Sequence, residues 1–174
     1  MAEEQQQFME ISEDLKALMY QTWLPALMTT VLQKVKELPQ EHKMAVVTGM
    51  CTTCEDLAMA GAVGIQPGMS WDGYLEYLKG TVPPIGPWTV KQDGNVFDLI
   101  YESSTGPDGK ARCHCPLVQL GMSDPMPECC DSGARLAAKM IAAATNKPVE
   151  KTEVVESPSR TGASVCHYRV RVKS

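Results

Sequence analysis

A chain of 174 residues with 44% hydrophobic, 21% charged and 6% aromatic residues has the make-up of a folded globular protein, which excludes extended disorder. A formal net charge of −5, with no run of Lys or Arg, argues against a phosphate-binding surface, so nucleic acid is not expected as a partner. No stretch of ~18 consecutive apolar residues occurs and the acidic start MAEEQQQFME lacks a basic-then-apolar leader pattern, so a cytoplasmic protein without membrane contact is expected.

From Met9 to Leu38 apolar residues recur at helical spacing, with Pro25 either kinking one helix or opening a second, and Leu38-Pro39 stopping it. Met44, Val47, Cys51, Cys54 and Ala58 then follow at intervals of three or four, which predicts another helix with both cysteines of its C-x-x-C on the apolar stripe. On that stripe the two thiols are expected to pack as small hydrophobes rather than to work as a redox pair. Gly61 to Gly68 reads as a loop, and Ser70 as the cap of a short helix carrying Trp71, Leu75 and Leu78. Three prolines and a glycine in Thr81 to Pro87 mark the boundary between a helical part, 1–80, and a sheet-bearing part, 81–174, within one expected compact domain.

In the second part, Trp88 to Lys91 and Asn95 to Glu102 flank an Asp93-Gly94 turn and predict a hairpin. Lys110 to Cys115 alternates, so a strand there sets Cys113 and Cys115 on one face and His114 on the other, and Pro116 should end it. A helix is expected from Asp131 or Ser132 to Asn146-Lys147-Pro148, with Cys129 and Cys130 at its start, where free N–H groups stabilise a thiolate. Glu150 to Glu156 reads as a polar strand and Ser157 to Gly162 as a turn. In the last strand Cys166, Tyr168, Val170 and Val172 face inward, while His167, Arg169 and Arg171 share a solvated face. The fold class that follows is α+β: N-terminal helices packed with an antiparallel sheet and one later helix.

Seven cysteines, an odd number, favour free thiols or metal ligands over a disulfide framework in a reducing compartment. Cys115, Cys129, Cys130 and Cys166 come from three distant segments that the sheet can bring together, and thiolates so gathered suit zinc. Cys113, deeper in its strand, is the weakest further ligand. The equally weighted alternative is a set of buried cysteines acting as apolar residues. A hydrolase would use Cys130 or Cys129 as nucleophile, or a metal-bound water, with Asp131, Glu153 or Glu156 as base. It ranks below binding because His114 and His167 point away from the interior and His42 lies in the helical part. A dithiol redox protein using Cys51-Cys54 or Cys129-Cys130 ranks last, since adjacent cysteines close a strained ring.

The second half resembles the 4-vinyl reductase domain, a small-molecule-binding fold related to Bet3-type transport-particle subunits. The resemblance rests on Cys129 or Cys130 before a helix, Asn146-Lys147-Pro148-Val149, Glu153 or Glu156, Gly162, and Cys166-His167-Tyr168-Arg169-Val170. Similar aromatic-sensing domains bind zinc through three cysteines and a glutamate. This chain has no cysteine near Ser157 to Ser159, where the middle one falls, unless Cys115 substitutes. Cys115-Pro116, Cys130-Asp131, Cys166 and Met50-Cys51-Thr52-Thr53-Cys54 also resemble the 2-aminothiazoline-4-carboxylate hydrolase-like family, from about Lys43 onward. These resemblances imply a ligand-binding architecture, a small-molecule partner and zinc as cofactor; a homodimer is a separate expectation.

Overall fold

The structure is a computed structural model that describes residues 12–60, 69–70, 72–74, 76–77, 88–102, 104–105, 109, 111–113, 115–124 and 126–174. Ser12 opens helix α1 (Glu13–Leu18), its Oγ accepting from the Leu15 amide at 3.3 Å. A π-helical turn, Met19–Trp23, leads into α2 (Leu24–Glu37), whose first turn holds Pro25. Proline removes one donor and crowds the preceding turn. The chain answers by widening, with the Leu24 amide reaching back to the Met19 carbonyl. Leu38 is extended before Pro39, as a pre-proline residue prefers, and α3 (Gln40–Ala60) follows. Leu32 and Val35 of α2 pack with Val47 and Cys51 of α3 and with Met126 from the second half. Leu15, Leu18, Tyr20, Trp23, Leu24, Leu27 and Val31 are exposed along the first helices.

Four strands form an antiparallel sheet in the order β1-β2-β6-β5: β1 (Trp88–Asp93), β2 (Val96–Glu102), β5 (Val149–Glu156) and β6 (Val165–Val172). The expected hairpin closes through Gly94, whose φ of 56° a side chain would resist. Phe97, Leu99 and Tyr101 of β2 and Cys166, Tyr168, Val170 and Val172 of β6 face inward, as their alternation predicts. Over them lies α5 (Cys130–Thr145), burying Ala134, Ala137, Met140 and Ile141. Met140 and Ile141 are fully buried, each worth about 1.5–3 kcal/mol in apolar area removed from water. The helix ends at Asn146, in the left-handed region at φ 53°, ahead of Pro148. The α+β class is thus the observed one. Among the described residues no helix is long and apolar enough to cross a membrane.

Three local expectations change. The strand meant to reach Cys115 stops at Arg112: β4 (Ala111–Arg112) pairs only with β3 (Ser104–Thr105), in a ladder separate from the main sheet. Cys115 instead precedes a short helix, α4 (Pro116–Gln119), because proline at a first helical turn loses no hydrogen bond. Ser157 to Gly162 is likewise helical, α6 (Pro158–Thr161), capped by Ser157 Oγ accepting from the Arg160 amide at 3.2 Å. Ser70 does cap a following turn, accepting from the Gly73 amide at 3.1 Å, and Tyr74 there is fully buried. Trp71, Leu75, Leu78, the 61–68 loop, the 81–87 boundary and His114 lie outside the described residues.

The outer face of the sheet is less open than its alternation suggests. The His167 side chain is only 12% exposed, its Nε2 2.7 Å from Asp98 Oδ1, and Arg169 Nε donates to the same oxygen at 2.8 Å. The sequence predicts that a surface imidazole is replaceable at no cost. His167→Gln is expected instead to lower stability by about 1.5–3 kcal/mol, the worth of a hydrogen bond to a charged group. Urea denaturation at neutral pH checks this, and a change below about 0.5 kcal/mol, the range of free surface sites, would return His167 to the solvated class.

Candidate functional site

Helical spacing on α3 sets Cys51, Glu55 and Ala58 on one face, at i, i+4 and i+7, turned toward α5 and the sheet. Pro116 aims the Cys115 thiol inward from the start of α4. The 3-10 turn Pro127–Cys129 carries Cys129 and then Cys130 into the start of α5, and a part-buried pair, Lys43 Nζ to Glu128 Oε1 at 2.8 Å, holds that turn against α3. The inward face of β6 supplies Cys166 and Tyr168. The result is a cavity of about 170 Å3 with all seven cysteines in its wall, together with Tyr101, Tyr168, Met50, Met126 and Leu136. Cys51, Cys113, Cys130 and Cys166 are buried, Cys115 and Cys129 half-buried and Cys54 exposed, and all seven are free thiols.

The thiols divide into two groups. In the first are Cys51, Cys115 and Cys129, all lining the cavity, with Cys129 the leading influence on the thiols of the other two. The bond from Cys129 pulls the Cys115 thiol down to about 6 against its burial, with help from the Leu117 and Val118 amides. The same kind of bond takes Cys51 to about 7, again against burial, aided by Ser132. Cys129 itself is pushed up, because losing its proton sacrifices the bonds it gives its neighbours. Of the two cysteines expected as thiolates at the start of α5, Cys129 is pushed up, and the lowered thiols are Cys115 and Cys51.

The second group centres on Cys130, whose Sγ lies 3.2 Å from Ser157 Oγ and 2.9 Å from Ser159 Oγ. Cys113 is also bonded to Ser159, but burial dominates and pushes its thiol up. Burial likewise pushes Cys54 up. Tyr168 reaches from β6 to α5 at Gly133, where an added methyl would overlap the phenol. Only glycine leaves that space.

Charge enters the wall through Glu55, 2% exposed. Its carboxylate accepts from Ser132 Oγ at 2.9 Å, lies 2.7 Å from Arg135 Nη2 and 3.1 Å from Lys139 Nζ, and so clamps α3 to α5. The carboxylates named as bases are elsewhere. Asp131 pairs with Arg160 at 2.8 Å, Glu153 pairs with Lys151 at 2.7 Å, and Glu156 stands 4.0 Å from the outward-facing His167; none of the three lines the cavity.

All four expected zinc ligands, Cys115, Cys129, Cys130 and Cys166, do line the cavity, but Cys115 and Cys129 belong to the first group and Cys130 to the second. Among the described residues no three His, Cys, Asp or Glu side chains are arranged to hold a metal ion. Sequence reasoning placed Cys51 in a helical core and overlooked Glu55, Ser159 and Gly133. One signal was available: a glutamate four residues after Cys51 and three before Ala58 interrupts an apolar stripe, and a charge there needs a buried partner. No protein-family model matches the chain, and no curated protein or solved structure does.

Proposed function

We propose that the protein is a small-molecule binding or sensing module whose ligand occupies the cysteine-walled cavity. The observation that supports this reading is the cavity's size and lining. A void of about 150 Å3 accommodates benzene, so about 170 Å3 suits one ring with few substituents. Thiols, thioethers and two tyrosine rings offer such a ligand a polarizable, mainly apolar wall. The succession Cys130, α5, Asn146, β5 and Cys166 supports the resemblance to the 4-vinyl reductase domain as part of the same proposal.

Zinc belongs to a metal-bearing form of this proposal. The donors are chemically apt, but Cys115 and Cys129 stand in one group and Cys130 in the other, so nothing in the binding reading is routed through the ion. The second reading, a hydrolase acting on a small amide or thiazoline-type ring, is favoured by one observation, the lowered Cys115 thiol. It moves the nucleophile to Cys115 from Cys130 or Cys129.

Thermal melts with neutral one-ring and fused two-ring compounds test the binding reading, on protein purified without an affinity-metal column and analysed for zinc. One-ring compounds are expected to raise Tm by mass action, fused systems are not, and Leu136→Trp, which fills the cavity, is expected to abolish the effect. No shift with any compound, or an equal shift in Leu136→Trp, would sink it. Mass spectrometry of the same mixtures detects hydrolysed product if the second reading holds.

A further inference from the structure

We propose that the exposed face of the first helices, from Leu15 to Val31, pairs antiparallel with the same face of a second copy of this chain. No residue of that face lines the cavity, so the pairing does not depend on ligand binding. Two features of the sequence set the face apart. Residues 17 to 33, ALMYQTWLPALMTTVLQ, carry no charged side chain over seventeen positions, whereas the solvent face of a helix is ordinarily charged or polar. Leu15, Leu18, Trp23, Leu27 and Val31 follow one another at intervals of three, five, four and four. In an unbroken α-helix the interval of five would throw Trp23 about 140° round the axis from Leu18. The π turn Met19–Trp23 takes up that interval, because an i→i+5 bond brings residues five apart into line. All five side chains are exposed, while Leu32 and Val35 turn to α3.

Little within the chain holds this arm. Neither α1 nor the π turn contains a buried residue, and α1 packs on the π turn as the π turn packs on α2. Helices of this length draw their stability in water from covering an apolar face. The face has the means to be covered: with Tyr20 and Leu24 at its margins it offers on the order of 700 Å2 of apolar surface per copy, near the roughly 800 Å2 per partner of a standard stable interface. Trp23, at its middle, is 59% exposed, and buried tryptophan and tyrosine are the side chains that anchor such interfaces.

Charge selects the occupant and its direction. A helix that lies on a lipid surface carries Lys or Arg beside its apolar face; the seventeen uncharged residues offer none, and a net charge of −5 opposes an anionic bilayer. A second copy fits better. Ahead of the uncharged stretch, residues 1–16 hold five acids against one lysine, and the first charges behind it are Lys34 and Lys36. Parallel pairing would set acids against acids, whereas antiparallel pairing brings the acidic end of each copy to the lysines of the other. Lys16 and Lys34 form exposed pairs with Glu13 and Glu37, and Lys36 with Asp124, and exposed pairs of this kind exchange partners at little cost. The antiparallel arrangement also sets Leu15 opposite Val31, Leu18 opposite Leu27 and Trp23 beside its own counterpart, as a two-fold axis requires.

The test uses the full chain, kept reduced, in sedimentation equilibrium over a dilution series, with carbodiimide cross-linking of a mixture of isotope-labelled and unlabelled protein. Wild-type protein is expected to sediment as a dimer that dissociates on dilution, and to yield a mixed-isotope bond from Glu13 or Asp14 to Lys34 or Lys36. One copy cannot make that bond, because Asp14 and Lys34 stand twenty residues apart on one continuous helical run, about 30 Å. Leu27→Glu is expected to weaken the dimer at least about tenfold, since a carboxylate would be buried in the seam, and to remove the cross-link. Leu57→Glu, at an exposed leucine of α3 outside the face, is expected to do neither. Trp23→Ala, which adds no charge, is expected to weaken the dimer as well and keeps the pairing testable if Leu27→Glu fails to fold. A wild type that stays monomeric, with or without binding to neutral phosphatidylcholine vesicles, would overturn the pairing. So would a dimer that survives both substitutions, or one that yields no mixed-isotope bond between those residues. Melts with the one-ring compounds report ligand binding separately.

Discussion

Arg135→Met is expected to lower stability at pH 7 by about 2–3 kcal/mol. Breaking a buried ion pair by removing one member costs roughly 3–5 kcal/mol, because the other charge is left without compensation. Here Glu55 keeps Ser132 and Lys139, which brings the expected loss below that range. Glu55→Gln should cost less than Arg135→Met, since the cations it releases are 43% and 39% exposed and can be hydrated where they stand. The pH dependence provides the decisive comparison. Burial alone would push the Glu55 carboxyl up, but the bonds from Arg135, Lys139 and Ser132 outweigh it and hold the group below the usual carboxylate range. A depressed folded value means that the stabilisation is fully present above the unfolded value of about 4.3 and is lost as pH falls through the folded one. At pH 7 the variant should therefore trail the wild type by the full amount, and near pH 3 the difference should shrink. Urea denaturation at the two pH values measures it. Equal differences at both would mean that Arg135 contributes through packing and not through the charge on Glu55.

Gly133→Ala is the second substitution with a large expected effect, about 3 kcal/mol, the upper end of what overpacking by one carbon costs. The added methyl would overlap the Tyr168 phenol, and that ring has little freedom to retreat. Tyr168 is 5% exposed, its strand is paired on both sides, and the Tyr101 ring stands 5.5 Å away, centroid to centroid. Tyr168→Leu alone should cost about 2–3 kcal/mol by leaving a void. Combined, the two should cost at least about 1 kcal/mol less than their sum, because the smaller side chain vacates the space that the methyl needs. A four-protein denaturation cycle measures this coupling. Simple additivity would place the phenol away from Gly133.

The sheet was legible because its two inner strands obey a period of two without interruption. Phe97, Leu99 and Tyr101, and Cys166 to Val172, declare their inward face residue by residue. The helix over them was legible for a similar reason, with Asn146-Lys147-Pro148 as an unambiguous stop. Lys110 to Cys115 misled because alternation over six residues does not reveal whether a partner strand exists; among its described residues, Ala111 and Arg112 alone found one. Pro116 was read as a stop, although the same missing donor also suits the first turn of a helix. The thiols of the second half could be gathered from sequence, since topology brings β6 beside α5. Cys51 could not, because nothing local reports that its stripe on α3 meets the second half as well as α2.

One consequence of the strand order concerns how the chain reaches this state. The pairs β1–β2 and β5–β6 are local hairpins, and such contacts form within microseconds. The seam between them, β2 against β6, joins residues more than sixty positions apart, such as Ile100 and His167. Its closure carries the loop entropy of the whole intervening chain before any contact repays it. That seam sets Tyr101 directly beside Cys166, at the floor of the cavity. Closure of that seam is thus the expected slow step in folding, and Cys166, which it buries at the floor, is expected to be among the last sulfurs withdrawn from solvent.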